Sequence, residues 1–149
     1  MSSHLIRVNY GRTVEDAIKA GEYGLVSPDI HRRNFPNASV VNFTTNIKIF
    51  GFDRKISTDD VRRHFASNKL LPGVMPELLA LGEAHPEVFS ETPVIALGSV
   101  WIDKNENNRV MMLHMNSHLR CLTLAWEGMW DINCRFIAVG LDTPPVTRS

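Results

Sequence analysis

The sequence predicts an α+β fold in which N-terminal helices and one long strand pack on a C-terminal antiparallel β-meander. From residue 39 to residue 52, apolar side chains alternate with polar ones, which indicates a strand with one buried face. Residues 93–139 contain four apolar segments separated by short polar breaks, the pattern of consecutive antiparallel strands. Helix-capping signals in the first half of the chain supply the helical part of the prediction.

The N-terminal segment is expected to begin with a short strand over Leu5–Asn9, followed by a helix. Thr13 has the side chain of an N-cap, Asp16 stands three residues later, and Gly21 provides the stop signal. A second, shorter helical turn is predicted from Pro28, because proline is favoured at the first position of a helix.

Two further helices are predicted in the middle of the chain. Ser57 is a candidate N-cap with Asp60 at the third helical position, and this helix should run to about Asn68. A third helix should begin near Met75 and end before the His85–Pro86 pair, because the residue before proline disfavours helical backbone.

The C-terminal segments predict a buried central strand over 94–102 and a hairpin of 109–115 with 119–126, joined by residues 116–118. The last strand is expected over 134–139. With no internal repeat and no long linker, residues 1–140 are interpreted as a single α+β domain. Residues 141–149, which contain Pro144 and Pro145, are predicted to be a flexible tail.

Composition narrows the class of protein. The chain has 149 residues, of which 44% are hydrophobic and 21% charged, as in ordinary globular domains. Sixteen Lys and Arg balance sixteen Asp and Glu, so net charge does not support a nucleic-acid partner. The sequence has neither a membrane-length apolar run nor a signal-peptide pattern. We therefore expect a cytoplasmic protein with no membrane partner.

The main functional hypothesis is a non-enzymatic protein that binds another macromolecule, most simply a protein partner, through loops and aromatic side chains of the C-terminal sheet. Aromatic residues near turns are typical contact residues when they are exposed. Trp130 follows Gly128 in a predicted turn, which suggests partial exposure. The predicted contact residues are Trp130, Trp126, Asn107 and His118.

No catalytic residue and no cofactor are predicted. Ser99 follows Gly98, but Trp101 stands where the nucleophile elbow of hydrolases needs a glycine. The sequence also contains no Walker loop, dinucleotide fingerprint or His-Glu-x-x-His motif.

One alternative is a small metal-assisted hydrolase or nuclease that uses His114, His118 and Cys121, the residue types that bind zinc. His114 and Cys121 can face each other across the predicted hairpin, whereas His118 would point elsewhere from the turn. Cys121 and Cys134 are expected to be reduced and buried, because nothing in the sequence indicates export.

The other alternative is an anion or nucleotide binder that uses basic residues of the N-terminal region. The short helical turn from Pro28 would add backbone N–H groups to such a site. The candidate residues are Arg7, Arg12, His31, Arg32 and Arg33.

Two resemblances accompany these predictions. The segments at 12–15, 76–82, 96–101 and 135–139 resemble a family of small uncharacterised bacterial proteins of unknown function, which implies no activity. The chain is also similar to the C-type-lectin-like fold. The similarity consists of two helices, at 57–68 and 76–82, followed by Trp130 and Cys134 near the last strand. The Glu-Pro-Asn and Trp-Asn-Asp calcium motifs of that fold do not stand at the expected places, and a fold likeness alone implies no function.

Overall fold

The computed structural model describes residues 1–37 and 39–148. The described residues form a large mixed sheet with helices on both faces, together with a two-stranded ribbon. In chain order the strands are β1 (Ser2–Asn9), β2 (Leu25–Val26), β3 (Asn42–Gly51), β4 (Ile56–Ser57), β5 (Leu70–Pro72), β6 (Val94–Ile102), β7 (Asn108–Asn116), β8 (Leu119–Trp126), β9 (Met129–Trp130) and β10 (Arg135–Gly140). The helices are α1 (Val14–Gly21), α2 (Thr58–Ser67) and α3 (Met75–Ala84), with a 3-10 helix over Pro86–Phe89. The α+β prediction is confirmed.

The sheet has the strand order β1-β3-β10-β6-β7-β8-β2, and β5 pairs with β10 beside this row. Most neighbouring strands are antiparallel, but β10 runs parallel to β6 and β2 runs parallel to β8. The short strands β4 and β9 pair with each other outside the sheet.

The capping signals of the sequence correspond to real helix ends. The Thr13 hydroxyl accepts a hydrogen bond from the Asp16 N–H at the start of α1, and the Ser57 hydroxyl accepts one from the Asp60 N–H at the start of α2. The left-handed residue after α1 is Glu22 rather than Gly21. Each of these hydrogen bonds provides an acceptor for one of the first N–H groups of the helix, which have no acceptor within the helix itself.

Two hydrophobic cores lie on opposite faces of the sheet. Helices α1 and α3 cover one face, here called the α3 face, where Leu78 and Leu79 belong to the same hydrophobic core as Ile47 and Val94. Helix α2 and the β4–β9 ribbon cover the other, the α2 face. Because β6 and β10 are covered on both sides, their side chains of both parities are buried, as continuous apolar strands require.

The predicted four-stranded meander is wrong in one respect. β6, β7 and β8 form a meander, but the last strand does not continue it beside β8. Instead β10 inserts between β3 and β6, parallel to β6 and antiparallel to β3. Residues 127–134 carry the chain back across the α2 face, and pairing of β9 with β4 fixes that crossing.

The helical turn predicted from Pro28 is also wrong. Residues 28–34 form successive turns, closed by hydrogen bonds from Ile30 N–H to the Ser27 carbonyl and from Asn34 N–H to the His31 carbonyl. Proline presets the backbone of a turn as well as that of a helix. One helix-type hydrogen bond is present, from the Phe35 N–H to the His31 carbonyl at 2.9 Å, and Pro36 directly after it has no N–H to continue the series.

The predicted tail lacks regular secondary structure but is anchored at two points. Val146 packs against the core of the α3 face, and the Arg148 guanidinium donates two hydrogen bonds to the buried Glu77 carboxylate, at 2.6 and 2.7 Å. Ser149 lies outside the described residues. These contacts argue against flexibility of residues 141–148, which stays a prediction.

Across the described residues, no helix combines the length and apolar character that a membrane span requires.

Candidate functional site

One end of the β6–β7–β8 meander carries the exposed tryptophan of the sheet. Strand pairing places Trp101, Arg109 and Trp126 side by side across three strands. The side chain of Trp126 is 65% exposed. We call the surface formed by Trp126, the loop 103–107, Asn108 and Glu127 the tryptophan end.

The guanidinium group of Arg109 contacts the Trp126 ring. Its guanidinium carbon lies 4.8 Å from the ring centroid, within the range of a cation–π interaction. The guanidinium also donates to the Leu124 carbonyl at 3.0 Å and to the Asp103 carboxylate at 3.5 Å. These hydrogen bonds fix the Arg109 guanidinium, which therefore offers the exposed Trp126 ring a defined contact.

The loop beside Trp126 is organised by Asp103. Its Oδ1 accepts hydrogen bonds from the N–H groups of Asn105 and Asn107, at 2.9 and 3.0 Å. These N–H donors, chiefly that of Asn107, and Arg109 lower the pKa of Asp103, because they stabilise the ionised carboxylate. Glu106 adopts a left-handed conformation, with φ of 63°, which closes the loop tightly. The tryptophan end is therefore preorganised.

An ion pair borders this surface. Arg62 of α2 donates to Glu127 at 2.6 Å and to the Leu97 carbonyl at 3.0 Å. It therefore links the helix to both the β8–β9 turn and strand β6. A shallow cavity of about 390 Å³ lies between Glu106, Asn107, Trp126 and Glu127. A second, of about 470 Å³, adjoins it and shares Asn108 and Glu127 with the first.

Trp130 does not belong to this surface, and the expectation of its exposure is wrong. Its side chain is only 6% exposed, packs edge-on against Phe136, and donates from Nε1 to the Thr58 hydroxyl at 2.8 Å. The turn at Gly128 leads into β9, which pairs with β4 across the α2 face, and that pairing directs the ring into the core.

His118 is also remote from the tryptophan end. It lies in the turn between β7 and β8, whereas Asn107 and Trp126 lie where these strands begin and end. Eight residues of strand separate the two ends, roughly 25 Å at 3.3 Å per residue. Asn107 and His118, both predicted as contact residues, therefore lie at opposite ends of the hairpin.

The candidate metal ligands come together only in part. His114 pairs with Cys121 across β7 and β8, as the hairpin predicted, while His118 stands in the turn. His114 Nε2 lies 3.0 Å from the Thr123 hydroxyl, and burial lowers its pKa. Both cysteines are free and buried, and burial raises the pKa of Cys134. In residues 1–37 and 39–148 no three His, Cys, Asp or Glu side chains are grouped to hold a metal ion.

The predicted anion site is divided, and two of its four arginines are paired with carboxylates. Arg7 and Arg12 line one cavity of about 360 Å³ beside β1, but Arg12 forms an ion pair with Glu83 at 3.2 Å. Arg32 is paired with Glu15 at 3.3 Å. The Arg32 backbone N–H, which donates to the Glu15 carboxylate at 3.1 Å, lowers the pKa of Glu15 most, and the Arg32 guanidinium lowers it further.

The other two members of that predicted site belong to the turns after β2. His31 lies 3.3 Å from the Asn34 side chain. Arg33 is exposed.

A cavity of about 300 Å³ lies at a bulge in β6, where the register with β7 shifts between Ala96 and Val100, and no sequence pattern indicated it. Gly98 permits the bulge to approach β5, since a Cβ there would stand 2.5 Å from the Gly73 carbonyl oxygen. The Ser99 hydroxyl accepts a hydrogen bond from the Met75 N–H at 2.7 Å, which caps α3. Among the described residues that line this cavity there is no His, Asp or Glu to act as a base for Ser99.

Sequence reasoning missed the roles of two residues that organise the tryptophan end, Arg109 and Asp103. The predicted hairpin contained the signal for Arg109, because a tight turn at 117–118 sets it opposite Trp126. The signal for Asp103 was its spacing to Asn105 and Asn107, since Asp side chains often accept hydrogen bonds from N–H groups two residues later.

Comparison with protein-family models, with curated proteins and with solved structures found no match. The two resemblances noted in the sequence therefore stay predictions.

Proposed function

We propose that this is a binding protein that recognises a partner protein through the tryptophan end. The observation that carries the proposal is the state of Trp126, an indole that is 65% exposed yet held by the Arg109 guanidinium. Tryptophan is enriched among the residues that dominate binding energy in protein interfaces. A side chain fixed in advance loses little conformational entropy when a partner covers it.

The surroundings of Trp126 suit a protein partner. The loop 103–107 is held by hydrogen bonds to Asp103, and Asn107 and Asn108 lie beside the ring at the cavity of about 390 Å³. Amide side chains around an aromatic residue provide the polar rim that surrounds an apolar contact in many interfaces. The positive charges of Arg62 and Arg109 are paired with Glu127 and Asp103. That pairing favours a protein partner over a polyanion.

Replacing Trp126 by alanine is expected to weaken partner capture by about 30-fold or more, corresponding to about 2 kcal/mol for a central aromatic contact. The melting temperature should change little, because the ring is mostly in water. The measurement is affinity capture from extracts of the native cell, followed by titration of the purified partner.

Leu141→Ala is the matched control, because Leu141 is 62% exposed and belongs to the tail rather than to the tryptophan end. It should capture the partner as well as the wild type does. Equal capture by the wild type and by Trp126→Ala would contradict the proposal, and so would a nucleic acid as the only captured molecule.

A further inference from the structure

The sheet ends differently at its two edges. At one edge stands β2, which has only two residues; at the other stands β1, with eight residues in continuous register against β3. The β1 sequence has no proline. Proteins usually prevent further pairing at an edge strand by making it short, by bending it, or by placing charged side chains on it. Of these features β1 has only a charged side chain, that of Arg7. It is therefore the edge open to another strand.

The hydrogen bonds of β1 show which backbone groups face outward. Tyr10 N–H donates to the Val41 carbonyl at 2.9 Å, so Tyr10 directs its backbone groups toward β3. Because direction alternates along a strand, Ser3, Leu5 and Arg7 direct theirs away from the sheet. Consistent with this, the Asn9 carbonyl accepts from the Arg12 N–H at 3.3 Å instead of from β3.

The side chains of these outward-facing residues lie on the face of the sheet opposite Ile6 and Val8, which are buried on the α3 face. Leu5 stands at the centre of the strand and is 73% exposed. A leucine in this position is an apolar contact with no partner in the monomer, and pairing of a second strand beside it would cover it.

We propose that two copies of this chain associate through β1, antiparallel about a two-fold axis at Leu5. This register sets Leu5 opposite its counterpart and Ser3 opposite Arg7 of the second copy, so no two like charges face each other. The outward groups of Ser3, Leu5 and Arg7 would then form about six backbone hydrogen bonds. A self-complementary patch of this kind is what a two-fold symmetric interface requires.

The space beside β1 is compatible with a second strand. A cavity of about 360 Å³ lies between β1 and α3 and is lined in part by Ala80 and Ala84, whose small side chains leave room for those of an added strand. Arg12 and Glu83, two charged residues of its lining, neutralise each other as an ion pair at 3.2 Å. The two sheets would become one continuous sheet.

Proline at position 5 tests the proposal through the backbone. Leu5→Pro removes an N–H group that points away from β3, so the β1–β3 pairing should survive, as prolines on edge strands do. Light scattering on the full chain should give a dimer of twice 16.8 kDa for the wild type and a monomer for Leu5→Pro, with unchanged far-ultraviolet circular dichroism. Ile6→Pro is the matched control, because it removes an N–H that the pairing with β3 uses and should lower the melting temperature.

Leu5→Lys keeps the backbone intact and sets two positive charges opposite each other at the two-fold axis. We expect its dimer dissociation constant to rise by at least about tenfold. This variant keeps the proposal testable if proline prevents folding. A wild type that stays monomeric up to about 100 µM overturns the proposal, and so does a dimer that Leu5→Lys leaves unchanged.

Discussion

Replacing Glu77 by alanine is expected to lower the free energy of unfolding by about 3–5 kcal/mol, the usual cost of leaving a buried charge without its partner. The Glu77 side chain is fully buried and the Arg148 side chain is 6% exposed. The carboxylate also accepts from the Tyr10 hydroxyl at 2.6 Å and from the Val74 N–H at 2.9 Å. Alanine removes the acceptor that these donors share, so that the Arg148 guanidinium is left with the Pro72 carbonyl and the Tyr10 hydroxyl with the Thr45 hydroxyl.

The environment of Tyr10 supports this description of the network. Burial, and then the adjacent Glu77 carboxylate, raise the pKa of Tyr10 well above its ordinary value. The phenol therefore stays protonated and acts as the donor to Glu77 at neutral pH. It also lies 2.9 Å from the Thr45 hydroxyl, so the network joins β3, α3 and the C-terminal segment.

Urea unfolding measures the effect of Glu77→Ala. Glu83→Ala is the control, because Glu83 is a half-exposed partner of Arg12 on the same helix and should cost no more than about 1 kcal/mol. The double variant Glu77→Leu with Arg148→Met should be more stable than Glu77→Ala, because it removes both charges together. A loss below about 1 kcal/mol for Glu77→Ala would contradict the buried network.

Replacing Trp130 by alanine is expected to cost about 3–5 kcal/mol, as for other large aromatic side chains removed from a core. The ring lies against Phe136 and is bound to the Thr58 hydroxyl. That hydroxyl also accepts from the Gly128 N–H at 3.0 Å. Truncation therefore opens a cavity on the α2 face and loosens the turn that begins β9.

Two variants separate the contributions in this experiment. Trp130→Phe retains most of the volume and should cost only about 1–2 kcal/mol, including the lost hydrogen bond. Trp126→Ala removes the same residue type from an exposed position and should cost less than about 1 kcal/mol. Thermal melts of the three variants are the measurement, and similar losses for Trp126→Ala and Trp130→Ala would contradict the assignment of Trp130 to the core.

Local signals made much of the fold predictable. The caps at Thr13 and Ser57, and the alternation along β3, each depend on residues within one element. The place of β10 depends instead on which strands it meets, and an apolar strand such as 135–140 fits any buried position equally well. The sequence therefore predicted the strand but not its neighbours.

In the candidate site, too, some residues were predicted from local sequence signals and others depend on contacts between distant parts of the chain. Trp126 and Asn107 were predicted as contact residues, and the structure leaves them close together at an open surface. Trp130 was misplaced because its turn is followed by pairing with β4, more than seventy residues earlier. Likewise, Glu77 among the leucines of α3 gives no indication that Arg148 is its partner. Contacts between residues that are far apart in the sequence could not be predicted without the fold.

The insertion of β10 has a consequence for synthesis on the ribosome. Strands β1 and β3 stand on one side of β10, and β6, β7, β8 and β2 stand on the other. Until residues 135–140 emerge from the ribosome, β3 and β6 each have one strand edge that lacks its pairing partner β10. A chain that stalls or is cleaved before Arg135 would consequently hold two separate half-sheets, each available for pairing with neighbouring nascent chains.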